Sequence, residues 1–170
     1  IEAPTVQGPF DYIICSGVLH HLAYPLAGAQ RIAGLLVPAG GIGLMVYARH
    51  GRHAVYLLQD LLRRIAPGGE IGKRVALARQ LVRSLPPSNP YDPARWSEHE
   101  WQDDAGVADL LLHPRDRSYT VAELQQLLDL AGLRLERWFA PPAYEPERYL
   151  EPGLFREHLS RLPAEEKPCV

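Results

Sequence analysis

Cysteine is scarce in this chain of 170 residues, where only Cys15 and Cys169 occur. They lie far apart, with no metal-ligand spacing and no disulfide pattern, so the sequence reads as that of a reduced, cytoplasmic protein. Long apolar runs are also missing. The most apolar stretch, Ile32 to Tyr47, is broken by Pro38, Gly40 and Gly41 and is too short to span a bilayer. The N-terminus has no basic region followed by an apolar core, so no signal peptide is read there. A basic stripe is absent as well: arginine dominates the cations but is spread along the chain. A net charge of −2 and a pI near 6.4 give no electrostatic case for nucleic acid or an anionic membrane. The chain begins at Ile1 without methionine, in the middle of a pattern, and is read as lacking an upstream part.

Three motif-like stretches carry no chemistry. "GGIG" around Gly41 and Gly43 precedes a strand, whereas a dinucleotide loop follows one. "PGGEIGKR" has Pro67 where a phosphate loop needs its first glycine, and Arg74 where it needs Ser or Thr. "SEHEW" lacks the second histidine of the helical zinc-protease pattern. No metal site is read from the sequence.

What is present is ordinary globular composition, 46% hydrophobic and 22% charged, enough for one sizeable core. "FDYIIC" (10–15), bounded by Gly8-Pro9 and Ser16-Gly17, reads as a strand buried on both faces. Pro25 suits the first turn of a helix. "LAGAQRIAGLL" then sets Leu26, Ala29, Ile32, Ala33 and Leu36 at helical spacing. Pro38 stops that helix, "AGG" turns, and "IGLMVY" reads as a second buried strand. Strand, helix and strand with short connections predict a parallel pair with a right-handed crossover.

Beyond it, "HAVYLLQDLLRRI" and "IGKRVALARQLVRSL" read as a helix pair broken by "APGGE". Residues 86–104 read as an irregular loop, and "GVADLLLH" as either a short helix or a strand. Thr120 and Glu123 form a capping box ahead of "LQQLLDLAG", and Gly132 sits at the helix's C-terminal cap. "LRLERWF" reads as a third strand, followed by a Pro-rich, peripheral C-terminal extension. The expected organisation is thus an α/β core in residues 1–47, a helical and loop insertion over 48–118, a core helix and strand over 119–140, and the extension over 141–170.

Ligands of open parallel sheets bind beyond the carboxyl ends of the strands. The first strand end offers Cys15, Ser16, Gly17, Val18, His20 and His21; the second offers Tyr47, Arg49 and His50. Gly17 permits close backbone approach. His20 and His21 fit either capping and packing of the next helix or a substrate role, and Arg49 or Arg52 is a candidate anion contact.

"FDYIICSGVLHHL", a helix, and "LLVPAGGIGLMVY" together resemble the second half of class I S-adenosylmethionine-dependent methyltransferases. "YTVAELQQLLDLAGLRLERWF" resembles that family's following helix and sixth strand. The turn Pro38-Ala39-Gly40-Gly41 is one residue longer than the family's usual P-G-G, and Tyr24 stands where an aspartate often caps the helix. The family's glycine-rich first loop and its ribose-binding acid are absent from this chain. The resemblance therefore implies a partial Rossmann-like sheet, with about three strands upstream of Ile1.

It further implies S-adenosylmethionine as cofactor, with Cys15, Ser16, Gly17 and Val18 along it, and His20 or His21 as general base where the acceptor must lose a proton. The insertion becomes a substrate lid, with Tyr47, Arg49, Tyr56, His113 and Tyr119 as substrate contacts and Trp96 and Trp101 as further lining. This chain alone is expected to bind cofactor weakly or not at all. The resemblance leaves the acceptor and the oligomeric state open. A methyltransferase-like domain without catalysis, used for binding or regulation, is the alternative. A nicotinamide-dependent oxidoreductase shares the fold logic but would need its own glycine fingerprint upstream.

Overall fold

The computed structural model describes residues 6–91, 101–139 and 144–163. Of the irregular loop expected over 86–104, residues 86–91 carry no helix or strand, 101–102 are helical and Asp104 already opens a helix, while 92–100, Trp96 among them, lie outside the described residues. The chain is mixed α/β with a small parallel sheet. It divides into two compact units, one formed by residues 1–48 and 119–170, the other by Arg49–Ser118. No described helix is long and apolar enough to cross a membrane.

In the first unit, strand β1 (Phe10–Ser16) pairs in parallel with β2 (Leu36–Met45), and helix α1 (Pro25–Ala33) connects them. This is the strand–helix–strand unit that the apolar spacing predicts. Its boundaries differ from the expectation, because the helix stops at Ala33 and Leu36 already belongs to β2. "PAGG" is an irregularity inside β2: Phe10 faces Leu36, yet Tyr12 faces Gly41. Pro38 has no N–H to give the ladder, so the strand bulges there without ending. Regular register then holds from Tyr12↔Gly41 to Ser16↔Met45. Tyr12 lies over the glycines of β2, and a Cβ at Gly43 would collide with its hydroxyl.

The burial of β1 corrects the sequence reading. Cys15 is buried and Ile13 half-buried, packed with Leu19, Ala29, Ile32 and Ala131. Tyr12 and Ile14 point the other way, and Ile14 is 76% exposed. Side chains alternate across a strand, and the described sheet is two-stranded with its core on one face. A continuous apolar run therefore presents a bare side.

Helix α1 starts at Pro25 with Tyr24 as an N-cap that makes no side-chain bond. A 3-10 turn, Leu19–His21, precedes it. The two-residue strands β3 (Tyr47–Ala48) and β4 (Ser118–Tyr119) pair where the chain leaves the first unit and returns.

In the second unit, α2 (His53–Ile65), α3 (Ile71–Arg83) and α4 (Asp104–Leu112) surround Val55, Leu58, Leu62, Val75, Ala78, Val107 and Leu110. "GVADLLLH" thus resolves as helix, and Asp103 caps it by accepting from the Gly106 N–H at 2.7 Å.

Back in the first unit, α5 (Val121–Leu130) carries both halves of the expected capping box. The Thr120 N–H donates to Glu123 at 2.8 Å, and the Glu123 N–H donates to the Thr120 hydroxyl at 3.2 Å. Gly132, at φ +73°, ends the helix with Gly132 N–H→Asp129 O and Leu133 N–H→Leu128 O bonds, the Schellman pattern. Gln30 of α1 donates to the Leu130 carbonyl at 3.1 Å and ties the two helices together. The third strand expected over 133–139 does not form: among the described residues these carry no secondary structure and pair with no strand. The C-terminal extension carries a 3-10 helix (Pro146–Tyr149) and a short helix, α6 (Leu154–Ser160).

Candidate functional site

At the carboxyl end of β1 the chain must leave the sheet within a few residues, and Gly17 makes that turn at φ +70°, which favours glycine. Its N–H donates to the Met45 carbonyl at 3.2 Å, so the two strand ends are held together. A Cβ at Gly17 would meet only the Met45 methyl at 3.7 Å. Its Cα face is therefore open to close approach. Ser16 is exposed beside it and Val18 is 39% exposed, while Cys15 is buried behind them. Burial pushes the Cys15 thiol above its ordinary value, and a hydrogen bond with the Leu19 backbone partly offsets this. Cys15 is accordingly a packed thiol at neutral pH, not a nucleophile.

The 3-10 turn that follows carries the histidine pair. His20 is 1% exposed and its ring stacks on Tyr47, with centroids 3.9 Å apart and planes tilted by 32°. His21 meets His20 edge-on at 4.1 Å and Tyr47 at 6.0 Å. The strand ends therefore bring Gly17, His20, His21 and Tyr47 into one place. Tyr119, also of the first unit, is buried at 8% exposure.

The other expected contacts lie in the second unit. The Arg49 guanidinium donates to the Ser118 carbonyl at 3.4 Å. His113 caps the end of α4, and its Nδ1 accepts from the Arg115 N–H at 3.1 Å. Trp101 packs against Tyr91, ring centroids 6.2 Å apart, as part of the core.

Tyr56 belongs to a polar network that the sequence reading missed. Its centre is Asp116, whose side chain is fully enclosed. Gln59 donates to that carboxylate at 2.7 Å, and Arg52 and the Tyr56 hydroxyl donate at 3.4 Å each. Gln59 also donates to the Leu110 carbonyl and accepts from Arg63. Burial pushes the Tyr56 phenol up, and the Asp116 carboxylate adds to that, against opposing contributions from Ser118 and Arg52. One signal was available in the sequence: Gln59 falls on the helix stripe of Val55, Leu58 and Leu62. A polar residue in an apolar stripe needs a buried partner.

No family model matches the chain. It is 30% identical over 152 residues to an uncharacterized protein of Synechococcus sp., covering 86% of this chain and 36% of that protein. The chain thus spans about a third of the length of the curated relative it matches.

Proposed function

We propose that this chain is part of a class I methyltransferase that moves a methyl group from S-adenosylmethionine to an acceptor. The supporting observation is the parallel β1–α1–β2 unit whose carboxyl ends place the left-handed, open-faced Gly17 beside the His20–His21–Tyr47 cluster. Cofactors of open parallel sheets sit beyond such ends. Gly17 fits the edge of a bulky cofactor, because nothing but a flexible methionine methyl stands before it. When bound, the sulfonium supplies an already activated methyl group.

The chain's own residues then have limited work: Gly17 and Val18 shape one wall, and the ring cluster excludes water and orients the acceptor. His21, less enclosed than His20, is the better placed imidazole for taking a proton from a hydroxyl acceptor. The resemblance on which this reading rests gives the insertion over 48–118 the part of a substrate lid and calls for further strands beside β1.

One observation favours the second reading, a binding domain without catalysis. His20 is closed to solvent and stacked, as a packing residue would be. The experiment is calorimetric titration of S-adenosylmethionine and its demethylated product into the full-length polypeptide that carries this chain, as wild type and as Gly17→Val. Binding by the wild type, weakened at least about tenfold by a side chain at a left-handed position, is expected. A folded wild-type protein that binds neither compound moves the assignment to the second reading.

A further inference from the structure

Consecutive residues of a 3-10 turn project about 120° apart around its axis. His20 and His21 are consecutive residues of such a turn, Leu19–His21, so their side chains are set to diverge. They converge instead, with ring centroids 4.1 Å apart and planes inclined by 61°. The bonds His21 N–H→Val18 O at 3.0 Å and Leu22 N–H→Leu19 O at 3.2 Å fix the backbone of the turn and leave the directions of both rings open.

Tyr47 closes the set. Its ring lies 3.9 Å from that of His20 and 6.0 Å from that of His21, the second pair nearly perpendicular at 86°. Each of the three rings thus meets the other two. Their mountings differ. Tyr47 belongs to β3, two residues beyond Met45, whose carbonyl accepts from the Gly17 N–H, so the sheet itself places this ring. His20 is enclosed and lies on the Tyr47 ring, while His21 is the half-buried histidine of the pair.

We infer, on the reading of His21 as the imidazole that takes the acceptor's proton, that Tyr47 is a positioning residue: its ring sets the orientation of His20 and, through His20, that of His21. Tyr47 thereby moves from the substrate contacts expected of it to a place behind the histidines. A base works only with its nitrogen within hydrogen-bond reach of the proton, so an imidazole turning freely about its side-chain bonds is a poor one. A strand-borne ring is a firmer support than a turn can supply alone. Both contacts of His21 are steeply inclined, the edge-to-face arrangement that ring quadrupoles favour. The ring makes these contacts, so Tyr47→Phe keeps the support and Tyr47→Leu removes it.

The test is NMR of the histidine rings, at fixed pH, in the full-length polypeptide that carries this chain, labelled with carbon-13 histidine. The proteins are wild type, Y47F, Y47L, H20Q and, at a tyrosine 72% exposed, the control Y149L; circular dichroism establishes folding. Wild type and Y47F should show cross-relaxation between residue 47 and both histidines, with three-bond couplings that give His21 a single χ1 rotamer. In Y47L, and in H20Q, where Tyr47 stays but the middle ring is gone, those couplings should average over rotamers. Y149L should match wild type. A tyrosine that merely stabilised the fold would lower the melting temperature of Y47L and leave His21 in one rotamer. That result, an unchanged His21 in folded H20Q, loss of the single rotamer in Y47F, or no cross-relaxation in wild type overturns the assignment. A wild-type protein that binds no S-adenosylmethionine ends the methyltransferase reading instead, and the couplings still report whether Tyr47 holds the pair.

Discussion

Asp116 concentrates more consequence in one side chain than any other described residue. Its enclosed carboxylate is met by Arg52, Tyr56 and Gln59. Asp116→Ala leaves the enclosed Arg52 charge without this carboxylate, and truncation of a buried charged partner costs about 3–5 kcal/mol. Denaturant melts should show that loss. Asp116→Asn, which keeps an acceptor oxygen, should lose less.

The pH response of the fold follows from two groups raised by burial, Cys15 from 9.0 and Tyr56 from 10.0. An acid that the folded state holds protonated contributes stability in full below its unfolded value, and loses it as pH rises through its folded value. Melting temperature should therefore fall progressively above about pH 9, the ordinary range of a thiol. Cys15→Ala should flatten the first part of that fall, and a profile unchanged by the substitution would falsify the assignment.

At the scale of elements, α5 is the best-specified helix in the chain. Thr120→Ala removes its cap and should cost about 1 kcal/mol in a thermal melt. Gly132→Ala places a Cβ at φ +73° and should cost about 1–2 kcal/mol. These features were legible because they are local: the residues that specify them lie within a few positions of one another. The same holds for Pro25 and for the α2–α3 pair.

What was not legible depends on partners distant in sequence. "LRLERWF" has strand character, but a strand exists only when another strand pairs with it. The apolar run of β1 does not say how many layers surround it, so its bare side is invisible in the sequence. The candidate site divides in the same way. Gly17 and the histidines announce themselves at one strand end, and Tyr47 at the other. Its stacking on His20 was not readable, nor was the convergence on Asp116 from 57 to 64 positions away.

For the whole molecule, the bare side of β1 gives the plainest test of the methyltransferase reading. Ile14 is 76% exposed in this chain, so Ile14→Lys should change its stability by no more than about 0.5 kcal/mol. If the longer polypeptide lays further strands and helices over that side, the same substitution there should cost several kcal/mol. Parallel chemical denaturation of the two lengths makes the comparison. Equal, small effects would leave β1 as an outer surface and remove the support that the sheet lends to the proposal.

The second unit begins at Arg49 and ends at Ser118, and these two residues touch through a guanidinium–carbonyl bond of 3.4 Å. A body whose first and last residues meet can be inserted into a host chain without forcing the flanking segments apart. Such a body behaves as a cassette: lineages can lengthen it, trade it for another or lose it to a short hairpin without rethreading the sheet. Recognition properties carried by its helices can then change hands independently of the chemistry at the strand ends.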